Sequence, residues 1–207
     1  MSLSYPVPDL LPGKAHISEL FIKRSRFIAS LSHGPDIDAA RNFIQEQRQR
    51  YADATHNCWA FCAGPPADTA RIACSDDGEP HGTAGRPMLT ILLHSGIGEL
   101  ACVVTRYFGG VKLGTAGLVR AYQDAVRTGL EKLPTKEWVE LINITVDLQY
   151  KQLDAVRRLL PDYGAELLSE KFTDSVNFCL AIPKVKLEFF EQQLNNLGKG
   201  NIKISTR

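Results

Sequence analysis

The sequence predicts an α+β protein of two domains, residues 1–135 and 136–207. Three observations carry that prediction. Runs that alternate apolar and polar residues, as strands do, are interleaved through the first 135 residues with stripes at three and four, as on helices. The composition changes after Pro134-Thr135-Lys136. Beyond that point the signals follow the order β-α-β-β-α-β over about 70 residues, the ferredoxin-like arrangement. A chain of 207 residues is long enough for one large or two modest domains.

Residues 1–14 are a Pro-rich lead-in. From His16 to His33, Ile17, Phe21, Phe27, Ile28 and Leu31 are interrupted by Lys23-Arg24-Ser25-Arg26, which predicts two strands joined through a basic turn. Pro35 to Asp38 opens a helix with Asp36 as N-cap, and Ile37, Ala40, Phe43, Ile44 and Gln47 form its apolar stripe. Arg41, Arg48 and Arg50 fall on the outer face. In Asn57 to Ala63, Trp59 and Phe61 alternate against Cys58, Ala60 and Cys62, a strand that Pro65-Pro66 breaks. Ile72 to Cys74 resumes a short strand. Pro87 to His94 reads as a helix, and Leu100 to Thr105 is a continuous apolar run of the buried-strand type. Leu118, Ala121, Tyr122, Ala125, Val126, Gly129 and Leu133 then line one face of a helix stopped by Pro134.

In the second domain, Val139 to Leu148 alternates as a strand. Tyr150 to Leu160 is a helix ended by Pro161 and Gly164. Ala165 to Phe172 and Val176 to Ile182 are strands joined through Thr173 to Ser175. Val185 to Leu197 is a helix closed by Gly198, and Asn201 to Ser205 is the last strand.

Formal net charge is +1. The charges are evenly spread: 14 Lys/Arg against 13 Asp/Glu in residues 1–135, and 10 against 10 in the rest. Nucleic-acid binding by bulk charge is thereby disfavoured, while a local basic patch stays open. Five cysteines, an odd number, several of them inside apolar runs, fit reduced buried thiols better than a disulfide framework. The first residues show no signal-peptide core, and no apolar run approaches the ~20 residues needed to span a bilayer. No membrane role and a cytoplasmic location are expected.

Two glycine-rich stretches, Ser75 to Pro87 and Arg106 to Arg120, stand out. Each contains Gly-Thr-Ala-Gly, at Gly82 to Gly85 and Gly114 to Gly117. The second tetrapeptide opens a predicted helix, whose N-terminal N–H groups and dipole favour an anion, with Lys112 and Arg120 nearby. Tight turns and close helix–strand packing account for the same glycines. Asp76, Asp77 and Glu79 cluster beside His81, as in a Mg²⁺ site or around a general base, or simply as turn residues. His56, Cys58 and Cys62 are residue types that bind zinc, but a strand sends the two cysteines into a core beside Trp59. Arg106, Tyr107 and Phe108 at a strand mouth suit stacking on bases or on a peptide, or form an amphipathic strand end. No catalytic constellation is evident, and no cofactor is expected.

Ser75-Asp-Asp-Gly-Glu-Pro-x-Gly-Thr-Ala-Gly-Arg-Pro-Met-Leu89, followed by Val104-x-Arg-Tyr-Phe-Gly-Gly-x-Lys-Leu-Gly-x-Ala-Gly-Leu-Val-Arg-Ala-Tyr122, closely resembles the signature of the IMPACT family. Lys23-x-Ser-Arg-Phe27 and His56-Asn-Cys-Trp-Ala60 also look like that family, and the whole chain is similar to its bacterial, YigZ-like branch. The resemblance implies a ribosomal protein S5 domain 2-like N-terminal domain and a C-terminal domain similar to a late domain of the translocation elongation factor. Eukaryotic relatives act in translational control by competing for the activator of a general-control kinase, through an architecture with an additional N-terminal accessory domain that is not seen here. The small-molecule kinases that share the S5-like fold carry a glycine-serine phosphate loop, also not seen here.

The expected function is a non-catalytic regulator of translation or stress response. Its expected partner is RNA, the ribosome or another protein. Its binding residues would be Lys23, Arg24, Arg26, Asp76, Asp77, Glu79, Arg106, Tyr107, Gly109, Gly110, Lys112, Gly114, Thr115 and Gly117. The cations would meet phosphates, the glycines would let the backbone approach, and the aromatics would stack. The alternative is a metal-dependent hydrolase or transferase acting on a phosphorylated small molecule. It would use Asp76, Asp77 or Glu79 as base or Mg²⁺ ligands and the Gly114–Gly117 turn as anion cradle.

Overall fold

A computed structural model describes residues 4–199 and 201–206. The described chain forms two compact units, Tyr5–Trp138 and one built from Val139 onward. The mixed α+β class expected of the sequence is observed.

The first unit centres on a five-stranded antiparallel sheet in the order β2-β3-β6-β4-β5. Its strands are β2 (His16–Ile22), β3 (Ser25–His33), β4 (His56–Cys62), β5 (Ile72–Ser75) and β6 (Leu100–Tyr107). Alternation along the strands makes both faces apolar. Phe27, Leu31, Cys58, Ala60, Cys102 and Val104 face α2 (Gly85–Leu93) and α3 (Thr115–Glu131), burying Met88, Leu92, Tyr122 and Val126. Phe61, Ala101 and Val103 face the other way onto Ala40, Phe43 and Ile44 of α1 (Ile37–Arg50). The Asp36 carboxylate accepts from the Ala39 N–H at 2.7 Å and caps α1. Burial on both faces explains why β6 reads as a continuous apolar run.

The lead-in holds an element that the sequence did not announce. β1 (Ser4–Pro8) pairs with β7 (Thr135–Val139) in a two-stranded sheet. Pro6 and Pro8 lack N–H donors, which only such a marginal ladder tolerates. Trp138 stacks on Tyr5 at 4.9 Å, and the Tyr5 hydroxyl donates to Glu99 at 3.0 Å. The strand expected over Val139 to Leu148 is therefore two: Val139 ends β7, and β8 is Leu141–Leu148.

The second unit runs β8, α4 (Leu153–Tyr163), β9 (Glu166–Phe172), β10 (Val176–Pro183), α5 (Leu187–Gly198) and β11 (Lys203–Thr206). Its antiparallel sheet has the order β11-β8-β10-β9, which is the ferredoxin-like topology. Ile144, Val146, Phe178 and Leu180 point at Val156 and Leu160 of α4 and at Phe190 and Leu194 of α5. The helix expected at Tyr150 begins as a 3-10 turn, and Pro161 does not stop it. A proline in the last turn forfeits one backbone bond. The stop comes from Gly164, left-handed at φ 61°, whose N–H reaches back to Leu160 and Pro161.

Candidate functional site

The sequence signals converge at one end of the five-stranded sheet. β6 finishes there, β4 begins there, and the β2–β3 turn closes there; the register sets His56 against Arg106 and Arg26 against Tyr107. The loops 76–84 and 108–114 cover the same end.

Glu79 and Arg106 form its buried centre. Arg106 Nη1 donates to Glu79 Oε1 at 2.6 Å, with side-chain exposures of 6% and 3%. Tyr122 on α3 donates its hydroxyl to the same oxygen at 2.9 Å. The guanidinium carbon lies 5.5 Å from both the Phe27 and the Phe108 ring centres, two cation–π contacts. Arg106 Nε is buried without a partner among the described residues. Burial, the Cys58 thiol and the Glu79 carboxylate together push the Tyr122 phenol well above its ordinary range, so it stays a donor.

His56 Nδ1 lies 2.9 Å from the Asp77 carbonyl oxygen. A carbonyl only accepts, so Nδ1 carries the proton and Nε2 is turned toward Glu79 Oε2, 3.9 Å away.

The other two carboxylates of the acidic loop hold backbone. Asp76 accepts from the N–H groups of Gly82, Ala84 and Gly85 at 2.8, 3.0 and 2.8 Å, closing the N-terminus of α2. Burial opposes its ionisation, but the donors from Gly82, Gly85 and Ala84 outweigh it and hold the carboxyl below its usual range. Asp77 accepts from the Asn57 N–H at 2.7 Å and from Arg48 at 3.1 Å. The three carboxylates thus point to three different sets of protein donors. Among the described residues, no group of three or more His, Cys, Asp or Glu is arranged to hold a metal ion.

The second Gly-Thr-Ala-Gly is left open. Gly114, at φ 72°, is the N-cap of α3 and brings no side chain to its first N–H groups. The two tetrapeptides thus open two helices with opposite outcomes. One N-terminus is filled from within by Asp76; the other borders a groove of about 390 Å³ lined by His56, Glu79, Arg106, Phe108, Lys112 and Thr115, among others. Lys112 and Thr115 are exposed, as is Phe108 (47%).

Beside the groove lies the basic turn. Lys23 and Arg24 are exposed and left-handed, with φ 45° and 67°. Arg26 pairs with Glu19 at 2.6 Å and sits 5.9 Å over the Tyr107 ring. A Cβ on Gly109 would meet the Arg24 carbonyl at 2.0 Å, so the glycine lets the two loops touch. Gly110, at φ 84°, turns in open space. Gly117 lies in the first turn of α3, and Arg120 is exposed one turn on.

Of the residues that sequence reasoning singled out, Glu79, Arg106, Lys112, Gly114 and Thr115 share the groove. Lys23, Arg24, Arg26, Tyr107 and Gly109 form its neighbouring rim. Asp76 and Asp77 shape the loop from beneath. Sequence reasoning did not count His56, Thr55 and Tyr122 as site residues. His56 begins a strand whose pairing with Arg106 is a tertiary fact, and Tyr122 looks like any core aromatic on an apolar stripe.

Comparison with known proteins gives the same motifs a lineage. A model of the Impact N-terminal domain matches residues 23–130, and one for a domain of unknown function (DUF1949) matches residues 146–201. An IMPACT family member from Haemophilus influenzae is 40% identical over 195 residues, 94% of this chain and 95% of that protein. The IMPACT family member YigZ from Escherichia coli K12 is 39% identical, over 88% of this chain and 90% of its own. A solved structure described as a hypothetical protein aligns with a TM-score of 0.68 at 36% identity, covering 99% of this chain and 97% of that one. On both its domains and nearly its whole length, the chain belongs to the IMPACT family.

Proposed function

We propose that the protein is a non-catalytic, cytoplasmic RNA-binding regulator of translation, meeting RNA alone or within the ribosome through the groove end of its first unit. One observation carries this reading. The exposed Lys112 and Phe108 line the groove at the uncapped N-terminus of α3, and the exposed turn of Lys23 and Arg24 lies against Gly109 of the same loop. Cations and helix N–H groups suit phosphates, and an exposed ring beside them suits a base. A local patch of this kind needs no overall basic excess, in keeping with the net charge of +1. The metal-dependent enzyme alternative gains no support, because Asp76, Asp77 and Glu79 are each engaged by protein donors.

The test is co-sedimentation with ribosomal subunits through a density gradient at two salt concentrations, beside a Lys23→Ala/Arg24→Ala/Lys112→Ala variant. Wild-type protein is expected to travel with a subunit, to lose it steeply as salt rises, and the variant to stay at the top. Migration unaffected by both salt and the triple substitution points to a protein partner instead. Wild-type protein at the top of the low-salt gradient overturns the reading.

A further inference from the structure

The five-stranded sheet of the first unit ends on one side in β2. Among the described residues, no strand or loop pairs with the outer edge of that strand. Every second residue of an edge strand points its N–H and C=O outward, a template for a further strand. Proteins blunt such edges by brevity, proline, bulges or unpaired charge. β5 and β11 span four residues each, and β9 is interrupted by a bulge against β10. β2 has none of these devices. It runs seven residues without proline and keeps an unbroken register with β3. The charge of its Glu19 is held by Arg26 Nε and Nη2, at 3.1 and 2.6 Å.

The strand also carries side chains left to be covered. Leu20 and Ile22 pack into the core shared with α3. Alternation sends Ile17 and Phe21 to the opposite face, where they are 38% and 66% exposed; α1 lies over β3, β4 and β6 on that face. The flanks are basic. Lys14 ahead of the strand and Lys23 and Arg24 behind it are exposed and form no ion pair among the described residues.

These charges choose the occupant. In a two-fold pairing of two copies, the register that sets Ile17 against Phe21 also sets Glu19 against Glu19 and Lys14 against Arg24. Like charges directly opposite one another oppose that pairing. An extended peptide with acidic ends and apolar side chains four positions apart meets every group without conflict. We propose that the outer edge of β2 accepts such an acidic segment of a partner protein as a sixth strand. Its main chain pairs with His16–Ile22, its apolar side chains lie against Ile17 and Phe21, and its ends meet Lys14 and the Lys23-Arg24 turn. This goes beyond the RNA reading and does not depend on it, because the site is the sheet edge and not the groove.

The probe is a fluorescein-labelled peptide with three aspartates at each end of Val-Thr-Gln-Thr-Val. Anisotropy reads its affinity, and amide shifts of the full chain locate it. Two more peptides carry N-methyl groups on alternate residues of the centre, in the two possible phases, which removes main-chain donors without touching charge or side chains. The parent peptide is expected to bind, to shift amides of His16–Ile22 and to weaken as salt rises. One methylated peptide is expected to lose about tenfold or more, since each main-chain bond is worth roughly two- to tenfold, and the other to keep most of its affinity. Lysine in place of the aspartates, or Lys14→Glu/Lys23→Glu protein, is expected to abolish binding. No binding of the parent at low salt, shifts outside β2, or equal affinity of all three peptides overturns the proposal. So does a single-stranded RNA that shifts the same β2 amides, which gives the edge to nucleic acid. A dimer in sedimentation equilibrium that Phe21→Lys breaks gives it to a second copy and overturns it too.

Discussion

Glu79 and Arg106 form a 2.6 Å ion pair with both side chains almost wholly out of water. The pair joins the acidic loop to the end of the central strand, and Tyr122 ties it to α3. Removing one member leaves the other charge buried and unpaired, at a cost of about 3–5 kcal/mol. Glu79→Ala and Arg106→Ala are each expected to lower the unfolding free energy of the first unit, read from urea titration, by this amount, and the double variant to cost less than the sum. Equal additive losses would show that the pair is not coupled. For the same reason Arg106 is unsuitable as a probe of binding: its loss would lower affinity by disrupting the fold.

Asp76 is a cap placed six, eight and nine residues ahead of the N–H groups it fills. Asp76→Ala is expected to cost about 1–2 kcal/mol, as removal of a helix cap does. The sign of the pH effect follows from the depressed folded-state value. The stabilisation is complete above the unfolded carboxyl value of about 4 and is lost as pH falls through the lower folded value. Acid melts of wild type and Asp76→Asn should therefore converge at low pH. Curves that stay parallel would remove the carboxylate from the account.

Two glycines of the same loop should respond differently to alanine. At Gly109 a Cβ meets Arg24 backbone at 2.0 Å, so the β2–β3 turn must move, at about 1–3 kcal/mol for overpacking. At Gly114 no atom lies within 4 Å, and only the backbone, at φ 72° and ψ 167°, opposes alanine, at about 1–3 kcal/mol. Gly109→Ala is expected to shift the amide resonances of the 23–26 turn, and Gly114→Ala to leave them in place. The reverse pattern would refute the close approach.

Thiol reactivity should sort by burial. Desolvation raises the thiols of Cys58 and Cys102 far above their usual range and pushes Cys62 up to about 11. Thiolate is the reactive form. Mass spectrometry after alkylation of native protein is expected to find label on Cys179 and Cys74, the two partly exposed cysteines, and on the other three only in denaturant. Early labelling of Cys58 would contradict the packing around Tyr122.

Much of this protein was fixed locally. The apolar alternation of Asn57 to Ala63, the stripe of α1 with its Asp36 cap and the β-α-β-β-α-β order of the second unit all follow from periodicity and capping, which neighbouring residues decide among themselves. The two repeated Gly-Thr-Ala-Gly turns each lead into a helix. What the sequence could not state is which partner each group finds. Asp76, Asp77 and Glu79 look like one acidic cluster in line, yet the turn sends them to a helix end, a strand amide and a buried arginine. β1 was hidden because its pairing with β7 joins residues more than a hundred positions apart. The two identical tetrapeptides differ for the same reason: Asp76 folds back onto one, and among the described residues no carboxylate caps the other. Short-range patterns fix the elements; long-range pairing decides which polar groups are consumed by the fold and which are left open in the groove.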